Sequence, residues 1–159
     1  MRFCTLLITC LIFSNSAIAD VTGIARVIDG DTIQIGEIRI ELWGYDAPEQ
    51  QQTCTIKGIP WKCGEAATKH LITSIGNKSV SCVPRGTNSS GQPAFKCAIG
   101  YLDVGAELVE VGLAIPYWNN GGEYYIRSFK EAQGLAQGMH AGSFIVPWEW
   151  RKRQISFPD

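Results

Sequence analysis

A basic excess is missing from this sequence: 14 lysines and arginines stand against 15 aspartates and glutamates, a formal net charge of −1. Proteins that grip nucleic acid through its phosphates carry a basic surplus or a basic stripe, so composition gives no support for charge-driven DNA or RNA binding. The one concentrated cluster, Arg151-Lys152-Arg153 beside Trp148 and Trp150, reads as a solvated tail. Histidine is scarce. His70 and His140 are isolated and read as surface or helix-end groups. No Cys-x-x-Cys pair is present and no histidine lies near the cysteines, which argues against a structural zinc site. There is no Gly-x-x-x-x-Gly-Lys loop, no Gly-x-Ser-x-Gly elbow, no internal repeat and no low-complexity segment. The apolar run from Phe3 to Phe13 is interrupted by Ser14-Asn15-Ser16, short of the roughly twenty residues a spanning helix needs.

What is there begins with a secretory leader over 1–19: Arg2, the apolar run, and Ala17-Ile18-Ala19 as the cleavage site before Asp20. Removing Arg2 from the 14 basic residues leaves 13 against 15 acidic ones. The mature chain is expected to be secreted or periplasmic, without a membrane anchor after cleavage. Cys54, Cys63, Cys82 and Cys97 remain in it, an oxidising-compartment pattern. Four cysteines allow three pairings, and two local bridges, Cys54–Cys63 and Cys82–Cys97, are the expected ones.

Length and a hydrophobic fraction of 45% suit one domain with a real core. Strands are expected over 21–28, 32–35, 38–43, 78–83 and 94–99, with Cys82 and Cys97 facing each other on neighbouring strands. Ala67, Leu71 and Ile75 recur at i, i+4, i+8 and give the helix over 64–75 one buried stripe. Residues 46–63 and 85–93 read as loops, 104–111 as a short helix, and 123–140 as a longer one. These elements describe an α+β, mainly β fold: a five-stranded Greek-key barrel of the oligonucleotide/oligosaccharide-binding (OB) type with about three helices. It occupies 20–144, followed by an aromatic and basic tail over 145–159. The chain is expected to act as a monomer.

The chemistry concentrates between Ile28 and Glu49, where Asp29, Asp31, Asp46 and Glu49 stand at turns flanking a short hairpin. Oxygen-rich sites without imidazole suit a hard cation such as Ca²⁺ better than zinc. The plain alternative is that these acids only make turns, since Asp-Gly is a common turn pair. Three segments in order, Val-Ile-Asp-Gly-Asp-Thr at 27–32, Gly-Tyr-Asp-Ala-Pro-Glu at 44–49 and Glu-Leu-Val-Glu-Val-Gly-Leu-Ala at 107–114, resemble the staphylococcal (micrococcal) thermonuclease family. The resemblance covers roughly 21–144. It implies the barrel, secretion and calcium-dependent hydrolysis of phosphodiesters in DNA or RNA, with single-stranded nucleic acid or another polyanion as partner. It further implies that Asp31, Asp46 and the carbonyl of Ala47 are calcium ligands and that Glu49 activates the attacking water.

The expected arginines do not follow. Family members carry one five residues before the aspartate of Asp-x-Pro-Glu, and that position here is Glu41. A second belongs to a Tyr-Gly-Arg segment; counting back from Leu108-Val109 puts Ser90 and Gln92 in place of its tyrosine and arginine. Gln92 donates hydrogen bonds without charge. Arg39 shares a strand face with Glu41, and is either a substitute cation brought nearer by a bulge or a surface charge paired with Glu41 or Glu37. Arg85 and Lys96 flank the loop that holds Gln92. An arginine acting on a phosphoryl centre is worth roughly 10³–10⁵ in rate, so two losses point to weak or absent hydrolysis. Tyr117 and Trp118 offer a stacking surface for a base or a sugar ring, with core packing as the alternative. Two expectations follow: a weakened calcium-dependent endonuclease, or an inactive homologue that binds a polyanion, a glycan or a protein, for example in an extracellular polysaccharide pathway.

Overall fold

In the strand Ser79–Thr87, Val80 and Cys82 are buried while Ser79 and Ser81 are exposed, the period-two signature of a strand with one face on a core. The computed structural model describes residues 19–88 and 91–156; apart from Ala19 the leader lies outside the described residues, as does Ser90. Five strands build the barrel: β1 (Val21–Val27), β2 (Thr32–Ile35), β3 (Ile38–Leu42), β4 (Ser79–Thr87) and β5 (Pro93–Ile99). They run β3-β2-β1-β4-β5, and a parallel pairing of β3 with β5 closes the ring. Ile33, Ile40, Val80 and Leu71 are fully enclosed inside it. The OB-type barrel expected from the sequence is therefore present.

Among the described residues, four α-helices accompany the barrel: α1 (Cys63–Ile75), α2 (Val104–Glu110), α3 (Ile126–Gly134) and α4 (Pro147–Ser156). The Ala67, Leu71, Ile75 stripe of α1 faces the core with at most 1% exposure. Asp103 caps α2 by accepting from Gly105 and Ala106 N–H at 3.0 and 3.2 Å. The Cys54–Cys63 and Cys82–Cys97 bridges both form. Two disulfides mark an oxidising compartment, and among the described residues no helix is long and apolar enough to cross a membrane.

Four expectations need correction. The segment 123–140 is not one helix: α3 ends at Gly134, and a 3-10 turn follows over Gly138–Ala141. The chain leaves helical backbone at Ala136, φ +50°, and Gly138, at φ +51°, lies so close to Gly112 that a Cβ would come within 2.4 Å of the Gly112 carbonyl oxygen. The strand expected to stop at Val83 continues to Thr87: Pro84 still pairs with Phe95, and a bulge between Pro84 and Gly86 shifts the register so that Gly86 meets Ala94. The loop over 46–63 contains a small hairpin, Cys54–Ile56 with Ile59–Trp61. The tail beyond 145, finally, is not simply solvated: it folds into α4 and packs back on the barrel.

Candidate functional site

The Asp-Gly-Asp turn between β1 and β2 sets one wall of a cavity of about 290 Å³. Gly30 is buried there, and a Cβ on it would come within 2.6 Å of the Ala47 Cβ, so the turn sits tight against the 46–49 loop. Asp31 is held from two sides. Its Oδ2 accepts from Ala47 N–H at 2.9 Å and its Oδ1 accepts from the Thr32 hydroxyl at 3.4 Å. Desolvation, then Asp46 and Asp29 nearby, push the Asp31 carboxyl well above the usual carboxylate range, against the lowering pull of the Ala47 hydrogen bond.

Opposite lies Asp46, only 4% exposed, on a two-residue pairing with Ile115–Pro116. Glu49 follows after Pro48. The loop carrying it is fixed by fully buried Gln52, whose side-chain oxygen accepts from Glu49 N–H at 3.2 Å and whose amide nitrogen donates to the Ile145 carbonyl at 2.7 Å. One glutamine thus ties the acidic loop to the approach of α4. From α4, Arg151 enters the cavity: Nη1 donates to Asp46 Oδ1 at 2.9 Å and to Glu49 Oε1 at 2.7 Å, and Nη2 donates to Asp46 Oδ2 at 2.8 Å. Burial alone would lower the Arg151 pKa, but the two carboxylates outweigh it and raise it above the ordinary arginine value.

The cavity is lined by five carboxylates, Asp29, Asp31, Glu41, Asp46 and Glu49, and two guanidinium groups, Arg39 and Arg151. Asp31, Asp46 and Glu49 are brought together as expected. Ala47 is buried beside Asp31 through its N–H. Arg39 does not pair with Glu41 or Glu37; its Nη2 lies 4.0 Å from Asp29 Oδ2, with 60% of its side chain exposed. Glu41 accepts a hydrogen bond from the side-chain amide of Asn88, whose backbone N–H and side-chain oxygen bond to Gln92. Gln92 itself is exposed and is not among the described residues lining the cavity; Asn88 holds the position facing Glu41.

Tyr117 lines this cavity and also a second one of about 250 Å³, formed with Trp118, Asn119, Trp148, Glu149 and Lys152. Tyr117 packs on Trp148 at 5.5 Å between ring centroids, and Trp118 is 53% exposed. The two cavities therefore share a wall. His70 lies 3.2 Å from Glu107, away from the cavity. His140, expected near the surface, is instead packed edge-on between Phe129 and Phe144.

Sequence reasoning missed Arg151, Asn88 and Gln52. The Arg151-Lys152-Arg153 run was visible, but nothing local distinguishes an inward-facing arginine from a solvated one.

The donor set does not suit a calcium ion as it stands. Calcium takes six to eight oxygens, yet both Asp46 oxygens and one of Glu49 are turned to the Arg151 guanidinium.

The fold and this cavity define an OB-type barrel with an acidic, arginine-bridged pocket. No protein-family model matches the chain. Among characterised proteins it is similar to the succinoglycan biosynthesis protein ExoI of Rhizobium meliloti (strain 1021), 34% identical over 99 residues. The match takes in 60% of this chain and 51% of that protein, so the chain spans about half the length of the relative it matches.

Proposed function

We propose that this chain is a secreted accessory protein of an extracellular polysaccharide pathway, whose acidic cavity binds a saccharide rather than cleaving a phosphodiester. The observation that carries this reading is the Arg151 bridge to Asp46 and Glu49. It occupies the carboxylate that would orient water and the one that would hold a cation. With Glu41 where a phosphate-clamping arginine would stand, the cavity keeps more negative than positive groups and repels a phosphodiester. Carboxylate and amide oxygens accept hydrogen bonds from sugar hydroxyls, and the adjoining Tyr117, Trp118 and Trp148 rings offer apolar faces for a pyranose ring, the usual mixture of a small-molecule site. The similarity to a protein of succinoglycan biosynthesis supports the pathway.

The second reading, calcium-assisted nuclease activity, is favoured by one observation: Asp31, Asp46 and Glu49 line a single cavity. It requires Arg151 to leave.

Isothermal titration of the mature protein with succinoglycan oligosaccharides, and in parallel with a short single-stranded oligonucleotide, tests the proposal. Saturable heat with the saccharide and none with the oligonucleotide is expected. The reverse pattern would overturn it.

A further inference from the structure

We infer that Arg151 is the resident cation of the acidic cavity, standing where a divalent ion would otherwise neutralise Asp46 and Glu49, so that calcium and the guanidinium exclude one another. The inference rests on the reading of this cavity as non-hydrolytic, but its test reads cation binding alone, so saccharide binding and this inference can fail independently.

Three features support it. The first is electrostatic need. Asp46 has a side chain only 6% exposed, and a carboxylate that far from water requires a counter-charge or a full set of donors. Arg151 supplies both through a paired contact, the strongest geometry open to a guanidinium and a carboxylate. The second is reach. The same Nη1 that meets Asp46 also meets Glu49, so one group spans the two side chains that a bridging ion would span. The third is anchoring. α4 is not a loose tail: Pro147 is buried, Trp148 packs on Tyr117, and Gln52 holds the Ile145 carbonyl while it also holds Glu49. The guanidinium is thus delivered by a packed element, and the loop it meets is fixed by the same residue that fixes its own approach.

The other acids of the cavity are already engaged. Asp31 accepts from Ala47 and Thr32, Asp29 accepts from Asp31 N–H at 3.2 Å and faces Arg39, and Glu41 accepts from Asn88. The charge left most in need of a partner if Arg151 were removed is the Asp46 and Glu49 pair.

The test is thermal unfolding of the mature protein in millimolar calcium chloride and in chelator, with native Arg151 and with Arg151→Gln. The native midpoint should not move between the two buffers. The Arg151→Gln midpoint should be lower in chelator and rise by roughly 5 °C in calcium, the shift expected of an ion that binds only the folded state. Should Arg151→Gln fail to fold, Arg151→Lys keeps one charge but cannot span both carboxylates, and should show a smaller rise in the same direction. A native protein stabilised by calcium as strongly as the variant, or a folded variant with no calcium response, would overturn the inference.

Discussion

Arg151 meets Asp46 across 105 positions of sequence, with both Nη atoms on both carboxylate oxygens at 2.9 and 2.8 Å. That pair joins the last helix to the strand edge beside the acidic turn, and it makes the C-terminal segment part of the barrel's stability. Removing one partner of a fully buried pair costs about 3–5 kcal/mol. The Arg151 side chain is 41% exposed, so solvent screening lowers the expected cost of Arg151→Gln to roughly 1–3 kcal/mol. Urea unfolding in low salt and without divalent cations measures it; an unchanged midpoint would show that α4 contributes nothing through this contact.

The aromatic wall shared by the two cavities gives a second expectation. Trp148→Ala removes the ring that packs on Tyr117 and should weaken oligosaccharide binding by about tenfold or more, since loss of one stacked ring is worth roughly 1–3 kcal/mol. Glu110→Gln, on the far end of α2, should leave binding unchanged. Titration calorimetry on the two variants compares them.

His140 carries a pH dependence whose sign is set by its surroundings. The ring is packed between Phe129 and Phe144, its Nε2 has no hydrogen-bond partner among the described residues, and burial lowers its pKa below the ordinary histidine value. Above that ordinary value the ring is neutral in folded and unfolded chains alike, and its contribution to stability is fully present. As pH falls below it the unfolded chain takes up the proton first, so stability is lost until the lowered folded value is passed. Urea midpoints between pH 7.5 and pH 5 should fall more steeply in the native protein than in His140→Gln. Parallel curves would contradict this.

Each disulfide should contribute separately. Cys54–Cys63 closes a separation of 9 and Cys82–Cys97 one of 15; a loop of about 15 residues is worth roughly 3 kcal/mol. Cys82→Ala with Cys97→Ala is expected to cost about 2–5 kcal/mol, because both side chains also sit in the core. Cys54→Ser with Cys63→Ser is expected to loosen the loop that carries Glu49 and Gln52. Denaturant unfolding ranks the two.

Much of this was legible in the sequence, for identifiable reasons. β-rich runs bounded by turn residues marked the strands, the Ala67, Leu71, Ile75 spacing marked the buried face of α1, and short separations favoured the two bridges that form. The convergence of Asp31, Asp46 and Glu49 followed from turns close together in the chain. The rest depended on contacts that no local pattern encodes. Arg151 sits in a run whose neighbours, Lys152 and Arg153, are exposed, and its direction is set by the packing of Trp148 and the Ile145 carbonyl rather than by its own context. The helix ends after Gly134 because Ala136 takes left-handed backbone at φ +50°, which no local pattern announces. The bond from the Asn88 side chain to Glu41 joins positions 47 apart, a pairing that no count along the loop anticipates.

Neutralisation of Asp46 and Glu49 by Arg151 underlies the proposed binding, non-hydrolytic role of this cavity. The measurement that decides it is the cleavage rate of single-stranded DNA by the mature protein at high concentration, with calcium and with chelator. Equal rates, both at the level of a protein-free blank, are the expected result; cleavage that appears only with calcium and disappears in Glu49→Gln would contradict it.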